Sequence, residues 1–311
     1  MAPRPIIIDC DPGVDDAIAL LLALASTNEL TVLGVTTVAG NAPLSLTQKN
    51  ARKICQLAGR LDVNVYAGCP RPLLQPLVTA EHVHGETGLQ GADLPEPTLA
   101  LQPQHGVSFL IDALTQAAEK ITLATLGPLT NIAVALIQQP QLIENIEEIV
   151  VMGGAITHGN VTPSAEFNIY VDPHAAQVVM GSGAPITLIS LDVTHQVLTT
   201  TERLAAIRAL GSPVGQAAAD MLAYYGTEDV DRYGLPGAPL HDPCVIAYLL
   251  QPTLYSHRQA YVEVDLASPL TLGRTVVDFW GGSGRPANAK VMLTIDANGL
   301  YQLLIDRIGK L

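Results

Sequence analysis

Four aspartates fall within eight residues near the start of the chain, at positions 9, 11, 15 and 16. Asp9 and Asp11 are two positions apart, so their side chains point to the same side of an extended chain. Asp15 and Asp16 open an apolar run, and negative charge is favoured at the start of a helix. A phosphate-binding loop would carry glycines and a lysine in their place. Because crowded carboxylates need a cation and oxygen ligands suit a hard one, the pattern predicts a Ca²⁺ or Mg²⁺ site.

The residues around the aspartates predict a strand, a turn and a helix. The three isoleucines at 6–8 form an apolar run, which is typical of a parallel strand covered on both faces. Pro12 and Gly13 supply a tight turn, and the apolar run 17–25 predicts a helix. Aspartates at such a position can be simple helix caps or surface acids. The end of a strand nevertheless favours a site, because α/β sheets bind ligands at the carboxyl ends of their strands.

Composition limits the possible partners. The chain has 311 residues, of which 48% are hydrophobic and 14% charged, so we expect a large buried core. A net charge of −13 argues against a nucleic-acid partner, and no basic cluster indicates a membrane surface. The run 17–25 is far shorter than the span of about 20 residues that a bilayer requires. These features predict a small neutral or cationic substrate.

Cysteine usage indicates the compartment. The four cysteines show no CxxC pairing and no regular spacing, which is typical of reduced thiols rather than a disulfide framework. No charged segment followed by an apolar one precedes the aspartates, so we expect no secretory signal. The sequence therefore predicts a cytoplasmic protein.

Alternating apolar strands and helices predict the fold class. We expect an α/β, Rossmann-like fold in a single domain, 1–311, with a mostly parallel central sheet and helices on both faces. A few additional strands near 260–266, 272–279 and 289–296 should follow. The segment 69–104 is rich in proline and glycine and lacks periodicity, which predicts a functional or disordered loop.

Further polar residues stand at predicted strand or loop ends. Asn41 either caps a helix or joins a site at the end of the second strand. His84 is predicted to line a pocket, whereas His82 is interpreted as an ordinary loop residue. Glu166 and Asn168 have strand-like spacing, which predicts a polar face that binds hydroxyl groups, the alternative being a solvated edge strand.

Two more features suit chemistry at the ends of later elements. A free backbone carbonyl at Leu126, where a strand should end, could ligate a hard cation. His241 and Asp242 join an imidazole that can protonate near neutral pH to an anion, although the pair could also merely cap the following helix.

Five sequence blocks together point to a family. They are Asp9-Cys10-Asp11-Pro12-Gly13-Val14-Asp15-Asp16, Gly153-Gly154, Ala165-Glu166-Phe167-Asn168, Asp172-Pro173 and His241-Asp242-Pro243. The combination closely resembles the inosine–uridine-preferring nucleoside hydrolase family over essentially the whole chain. The resemblance implies Ca²⁺-dependent hydrolysis of the N-glycosidic bond of ribonucleosides to ribose and free base. It also implies a Rossmann-like fold and a homo-oligomer, either a dimer or a tetramer.

The resemblance implies a role for each matching residue. Asp11 would be the general base, acting on a metal-bound water, and a Ca²⁺ ligand together with Asp16, Asp242 and the carbonyl of Leu126. His241 would protonate the leaving base. The substrate-binding residues would be Asp15, Asn41, Asn168 and Asp242 at the 2′- and 3′-hydroxyls, Asn160 and Glu166 at the 5′-hydroxyl, Met152 beside the ribose, and His84 and Tyr225 on the base side.

The chain also departs from the family pattern. Where non-specific members carry a second tyrosine beyond Tyr225, it has Glu228-Asp229-Val230. Its single tryptophan, Trp280, lies near the C-terminal strands, so the sequence does not place it at the base, where purine-specific relatives carry a stacking residue. His241 favours a broad or pyrimidine-tolerant enzyme over a strictly purine-specific one.

Two other functions compete with this interpretation. A haloacid-dehalogenase-type phosphatase also begins with Asp-x-Asp. Its chemistry requires a threonine or valine two residues after the second aspartate, where this chain has Gly13. In addition, Asp15 and Asp16 would repel a phosphate. A catalytically inactive ribonucleoside- or Ca²⁺-binding protein is the second alternative. The presence of both Asp11 and His241 favours an active hydrolase over it.

Overall fold

A computed structural model describes residues 2–225, 230 and 234–311 of the chain. Within these ranges, ten strands form one central sheet and two short strands form a separate pair. The sheet strands are β1 Arg4–Cys10, β2 Leu30–Thr37, β3 Val65–Ala67, β4 Leu101–Gln102, β5 Ile121–Thr125, β6 Ile146–Met152, β7 Ile186–Ile189, β10 Tyr255–Val264, β11 Thr275–Asp278 and β12 Ala289–Ile295; the pair is β8 Leu198–Thr199 and β9 Ala238–Pro239.

Helices connect the strands and cover the sheet. The α-helices of the described ranges are α1 Val14–Leu24, α2 Leu44–Leu57, α3 Glu81–His84, α4 Gly106–Thr115, α5 Thr130–Gln138, α6 Phe167–Val171, α7 Pro173–Met180, α8 Leu191–Thr194, α9 Thr201–Arg208, α10 Pro213–Tyr224, α11 Pro243–Leu250 and α12 Ala297–Ile308. Two 3₁₀ segments, Pro140–Asn145 and Pro252–Leu254, precede β6 and β10.

The order of the strands creates a switch point beside β1. The sheet runs β11-β10-β12-β7-β6-β5-β1-β2-β3-β4, and β10 is antiparallel to both of its neighbours. The chain moves outward from β1 to β4 and then returns to pair β5 with β1 in parallel. In open α/β sheets, ligands bind outside the carboxyl ends of the strands at such a reversal. The aspartate motif follows β1 and therefore lies at this position.

The apolar run of β1 contacts two cores. Ile6, Ile8 and Cys10 belong to the core on one face, which includes α1, α2, α10, α11 and α12. Ile7 points to the other face and packs with α4, α5 and α7. Alternate side chains of a strand point to opposite faces, so a continuous apolar run is expected where helices cover both. The mostly parallel α/β sheet, the helices on both faces and the added C-terminal strands are thus confirmed.

Three sequence-based expectations need correction. The segment 69–104 is not a simple loop, because it contains α3 and the edge strand β4. The strand expected near 260–266 begins earlier, at Tyr255. The strand-like interpretation of Glu166 and Asn168 is wrong, because Glu166 caps α6 by accepting hydrogen bonds from the amides of Asn168 and Ile169. A carboxylate that satisfies free amides at a helix start stabilises that helix.

None of the described helices combines the length and the apolar character needed to cross a membrane.

Helix α1 provides a test of the core. All its residues are buried, because it lies between the sheet and helices α2, α10 and α11. Leu21→Ala, at a fully buried position, should lower the free energy of unfolding by about 2–5 kcal/mol. Leu61→Ala, at a position 57% exposed, is the control and should change it by less than about 0.5 kcal/mol. Equilibrium urea unfolding measures both; similar losses would contradict the packing described here.

Candidate functional site

Asp11 lies at the carboxyl end of β1, between the ends of β2 and β5. Two glycines make room for its carboxylate: a Cβ at Gly40 would lie 2.1 Å from Asp11 Oδ2, and one at Gly127 would lie 2.2 Å from Oδ1. Oδ2 accepts a hydrogen bond of 2.6 Å from the amide of Asn41. Oδ1 is buried and has no hydrogen-bond partner within the described residues. A buried, unsatisfied oxygen of this kind calls for a ligand.

Asp16 holds the turn that follows β1. Its carboxylate accepts hydrogen bonds from the amides of Asp11 at 3.1 Å and Gly13 at 3.0 Å. It also accepts one of 3.1 Å from Nδ2 of Asn41. Asn41 therefore contacts both Asp11 and Asp16, while α2 begins three residues later behind Pro43. Of the two possibilities for Asn41, the structure places it in the site rather than at a helix cap.

Asp242 approaches the cluster from the start of α11. One of its carboxyl oxygens lies within 4.8 Å of a carboxyl oxygen of Asp16. Burial, then Asp15, Asp16 and Asp11, raise the pKa of Asp242 well above its usual range. Its carboxylate makes no cap bond to the described amides of α11, so it is not a simple cap.

The carboxylates fit a hard divalent cation. One oxygen from each of Asp15, Asp16 and Asp242 lies within 4.8 Å of the others. Burial raises the pKa of Asp16 to about 7, and burial followed by Asp16 raises that of Asp11 well above its usual range. A cation would offset these charges in place of protons. The three donors are all oxygen, which is the chemistry expected of a Ca²⁺ or Mg²⁺ site. Asp11, outside this group of three, adds a buried oxygen without a hydrogen-bond partner among the described residues.

A second group of polar residues faces the aspartates from the ends of β5 and β6 and from the start of α6. The carbonyl of Leu126 accepts a hydrogen bond of 2.6 Å from Asn168 Nδ2, which also donates to the carbonyl of Met152 at 3.2 Å. Glu166 accepts from the amide of Gly154 at 2.9 Å, besides capping α6, and burial raises its pKa to about 7. The Glu166 carboxylate and the Asn168 side-chain amide face the cavity, because both residues stand at the start of α6.

His84 is fixed by a backbone amide. Its Nδ1 accepts a hydrogen bond of 3.1 Å from the amide of Val14, so the neutral ring carries its proton on Nε2. Burial lowers the pKa of His84 to about 3. The ring stacks on Tyr225 with 5.4 Å between centroids, and the Tyr225 hydroxyl donates to Asp15 Oδ2 at 3.2 Å. His84 thus presents a hydrogen-bond donor to the cavity.

His241 lies on the same cavity and is held differently. Its Nδ1 is 2.7 Å from the hydroxyl of Thr194, and its ring lies 5.7 Å from that of His195. Burial lowers the pKa of His241 to about 4, while the neighbouring Asp15 raises it.

One open cavity brings most of the predicted residues together. The predicted residues that line it are Asp15, Asn41, His84, Leu126, Met152, Asn160, Glu166, Asn168, Tyr225, His241 and Asp242. The other two, Asp11 and Asp16, are fully buried beside it and do not line it. Asn160 accepts a hydrogen bond of 3.0 Å from the amide of Phe167.

Some residues lie elsewhere than the sequence indicates. His82 lines the cavity from α3, so its interpretation as an ordinary loop residue is wrong. Its position depends on the short helix Glu81–His84, which the sequence analysis does not predict. Trp280 is 89% exposed and does not line the cavity. Asp9 lies outside the lining and accepts from Asn131 Nδ2 at 2.8 Å and from Thr36. Glu228 and Asp229 lie outside the described residues.

Comparisons with known proteins agree with this geometry. The relatives and solved structures that match the chain identify it as a hydrolase that acts on N-glycosyl bonds. The chain belongs to the inosine-uridine preferring nucleoside hydrolase family, whose model matches residues 6–302. The resemblance carried by the sequence motifs is therefore confirmed.

Individual relatives cover nearly the whole chain. The pyrimidine-specific ribonucleoside hydrolase RihA of Shewanella sp. (strain ANA-3) is 48% identical, with 98% of this chain and 96% of the relative covered. An uncharacterized protein of Schizosaccharomyces pombe is 49% identical, with 98% and 99% covered. Among solved structures, the purine-preferring ribonucleoside hydrolase from Gardnerella vaginalis gives a TM-score of 0.92 at 33% identity, with 99% of this chain and 98% of that chain covered.

Gly127 provides a test of the acidic cluster. In Gly127→Ala, the new Cβ would displace the Asp11 carboxylate, so a divalent cation should stabilise the variant less than the wild type. A cation at 100 times its dissociation constant adds about 2.7 kcal/mol to a protein that binds it. Calorimetry with and without millimolar Ca²⁺ or Mg²⁺ measures the rise in Tm.

The control for this experiment is Gly282→Ala, because no atom lies within 4 Å of a Cβ at that position. This variant should keep the full rise in Tm. An equal rise in Gly127→Ala would show that the cation does not depend on Asp11.

Proposed function

We propose that the protein is a Ca²⁺-dependent ribonucleoside hydrolase that releases ribose and a free purine or pyrimidine base. The observation that carries the proposal is the unsatisfied Oδ1 of Asp11, buried next to other aspartates beside an open cavity. Membership of the family supports the reaction type. The oxygen-only cluster supports the metal.

Asp11, Asp16, Asp242 and the carbonyl of Leu126 would hold the Ca²⁺. The cation would orient a water molecule and lower its pKa, so that a nearby carboxylate can take its proton. Asp11 suits the role of general base, because its Oδ1 accepts no hydrogen bond from a described residue. Its other oxygen is fixed by the amide of Asn41, which keeps the carboxylate oriented.

The remaining polar residues would bind the ribose. We assign Asp15, Asn41, Asn168 and Asp242 to the 2′- and 3′-hydroxyls, and Asn160 and Glu166 to the 5′-hydroxyl, with Met152 beside the ring. Cleavage of a ribosyl bond builds positive charge on the sugar. A cavity lined by buried carboxylates stabilises that charge where it develops.

His241 and His84 would face the base, together with Tyr225. We assign the leaving-group acid to His241, and a hydrogen bond to the base from Nε2 to His84. Pyrimidine ribonucleosides should be among the substrates, because a pyrimidine-specific relative is 48% identical whereas a purine-preferring one is 33% identical. The family resemblance also supports a dimer or tetramer, and the free cysteines are compatible with a cytoplasmic location.

The first test measures the reaction and its dependence on the metal. Purified protein incubated with inosine, uridine and cytidine should release free base, as detected by chromatography. A chelator should abolish the release, and Asp11→Asn should reduce it by about 10²-fold or more, because the general base is lost. The control Asp112→Asn, at an exposed aspartate of α4, should retain wild-type turnover.

Other outcomes of the same assay separate the alternatives. Release of phosphate from p-nitrophenyl phosphate without turnover of nucleosides would support the phosphatase. Binding of nucleosides without turnover would identify an inactive binding protein. Undiminished turnover in Asp11→Asn would remove Asp11 from the mechanism.

The second test concerns the ribose hydroxyls. A site built to hydrogen-bond a hydroxyl can reject an analogue that lacks it by about 10⁴-fold. The ratio of kcat/KM for inosine to that for 2′-deoxyinosine should therefore be large, because buried Asp15, Asn41 and Asp242 would lose a partner. Steady-state kinetics with both substrates provides the ratio, and comparable values would contradict the assignment of these residues.

A further inference from the structure

A threonine stands behind the His241 ring. Thr194 ends α8, is fully buried and does not line the cavity, whereas His241 does. The Thr194 hydroxyl lies 2.7 Å from His241 Nδ1. The Nδ1 edge of the ring is therefore turned toward the protein interior. Nε2, on the other edge, is the nitrogen that remains for a ligand in the cavity.

Helix α8 is attached by hydrogen bonds to the loop that follows β6. The amide of Thr194 donates to the carbonyl of Ser190 at 3.1 Å, which closes the single turn of the helix. Within that turn, the Asp192 carboxylate accepts hydrogen bonds from the amide of Ile156 at 2.7 Å and from the hydroxyl of Thr157 at 2.6 Å. These bonds attach α8 to the loop after β6. Thr194 thus has a fixed position relative to the floor of the cavity.

The strand pair β8–β9 brings the two segments into register. Leu198 pairs with Pro239, and Thr199 pairs with Ala238 in antiparallel fashion. The amide of Leu240 donates to the carbonyl of Val197 at 2.8 Å, which continues the pairing toward the site. The residue after Leu240 is His241, and Thr194 lies just before Val197 on the other segment. The backbone therefore presents the hydroxyl to the imidazole.

We propose that Thr194 is a positioning residue for departure of the base, holding His241 so that Nε2 faces the leaving group. The inference rests on the proposed function, in which His241 is the leaving-group acid. In that step the C1′–N bond breaks and its electron pair leaves with the base, which takes a proton from His241. A water oxygen bonds to C1′ and gives its proton to Asp11.

A hydroxyl suits this role because it is both a donor and an acceptor. Thr194 can donate to Nδ1 when that atom has a lone pair and can accept from it when it carries a proton. The acid is the imidazolium, in which Nδ1 donates to the Thr194 hydroxyl, and that hydrogen bond remains when Nε2 gives up its proton. Valine has nearly the same shape as threonine but would leave Nδ1 buried without this partner.

The test compares two classes of leaving group. In Thr194→Val, kcat for uridine or inosine should fall about 10-fold or more, within the range that general acid catalysis contributes, while KM changes little. For p-nitrophenyl β-D-ribofuranoside, the phenolate departs without a proton, so kcat should stay within about threefold of wild type. Thr194→Ser keeps the hydroxyl and should restore most of the nucleoside activity.

Thr199→Val is the matched control. Its hydroxyl makes a bond of the same 2.7 Å length to Tyr301 and lies outside the cavity lining, so its loss should affect both substrates little. A purely structural role for Thr194 would lower kcat for both substrates equally and would overturn the inference. So would a Ser variant no better than the Val variant.

Failure of the proposed function gives a different result. Wild-type protein that cleaves neither substrate would overturn the proposed function and this inference together. Wild-type protein that cleaves both, with no split between leaving groups in Thr194→Val, would overturn this inference alone. Thermal unfolding of each variant confirms that the rates refer to folded protein.

Discussion

The structure depends on the burial of carboxylates at the switch point of the sheet. Asp11, Asp15, Asp16 and Asp242 are all nearly or fully inaccessible, and burial raises the pKa of each. Charges buried in this way are stable only when paired, coordinated or protonated. The raised pKa of Asp242, to which burial and then the neighbouring aspartates contribute, and the unsatisfied Oδ1 of Asp11 are both consequences of this constraint. A bound cation would offset the first and satisfy the second.

Backbone groups supply part of the compensation and define the geometry. The amides of Asn41 and Gly13 each donate to a different aspartate, and glycines at 40 and 127 leave room for Asp11. These groups lie just after the ends of β2 and β5 and in the turn after β1. The site therefore exists only when the parallel sheet is formed. The carboxyl ends of neighbouring strands are the part of the fold where such groups converge.

The sequence predicted much of the fold and of the site, and its errors have physical causes. Apolar runs and the dense aspartate motif are local signals, so β1, α1 and the acidic cluster could be foreseen. The two-residue spacing of Glu166 and Asn168 predicts a strand wrongly, because it does not distinguish a strand from a capped helix start. The contact between Thr194 and His241 spans 47 residues and had no local signal, because strand pairing creates it.

The partners of the two cavity histidines explain why they should act differently. His84 Nδ1 accepts from the amide of Val14, a group that can only donate. A second proton on His84 would therefore break that bond, and burial already opposes the charge. His241 faces a hydroxyl, which can accept a hydrogen bond from a protonated Nδ1; burial lowers the pKa of His241 to about 4, and the neighbouring Asp15 partly offsets that shift. His84 is thus suited to a fixed hydrogen bond and His241 to proton transfer, because an imidazolium needs a partner at Nδ1 that can accept a hydrogen bond.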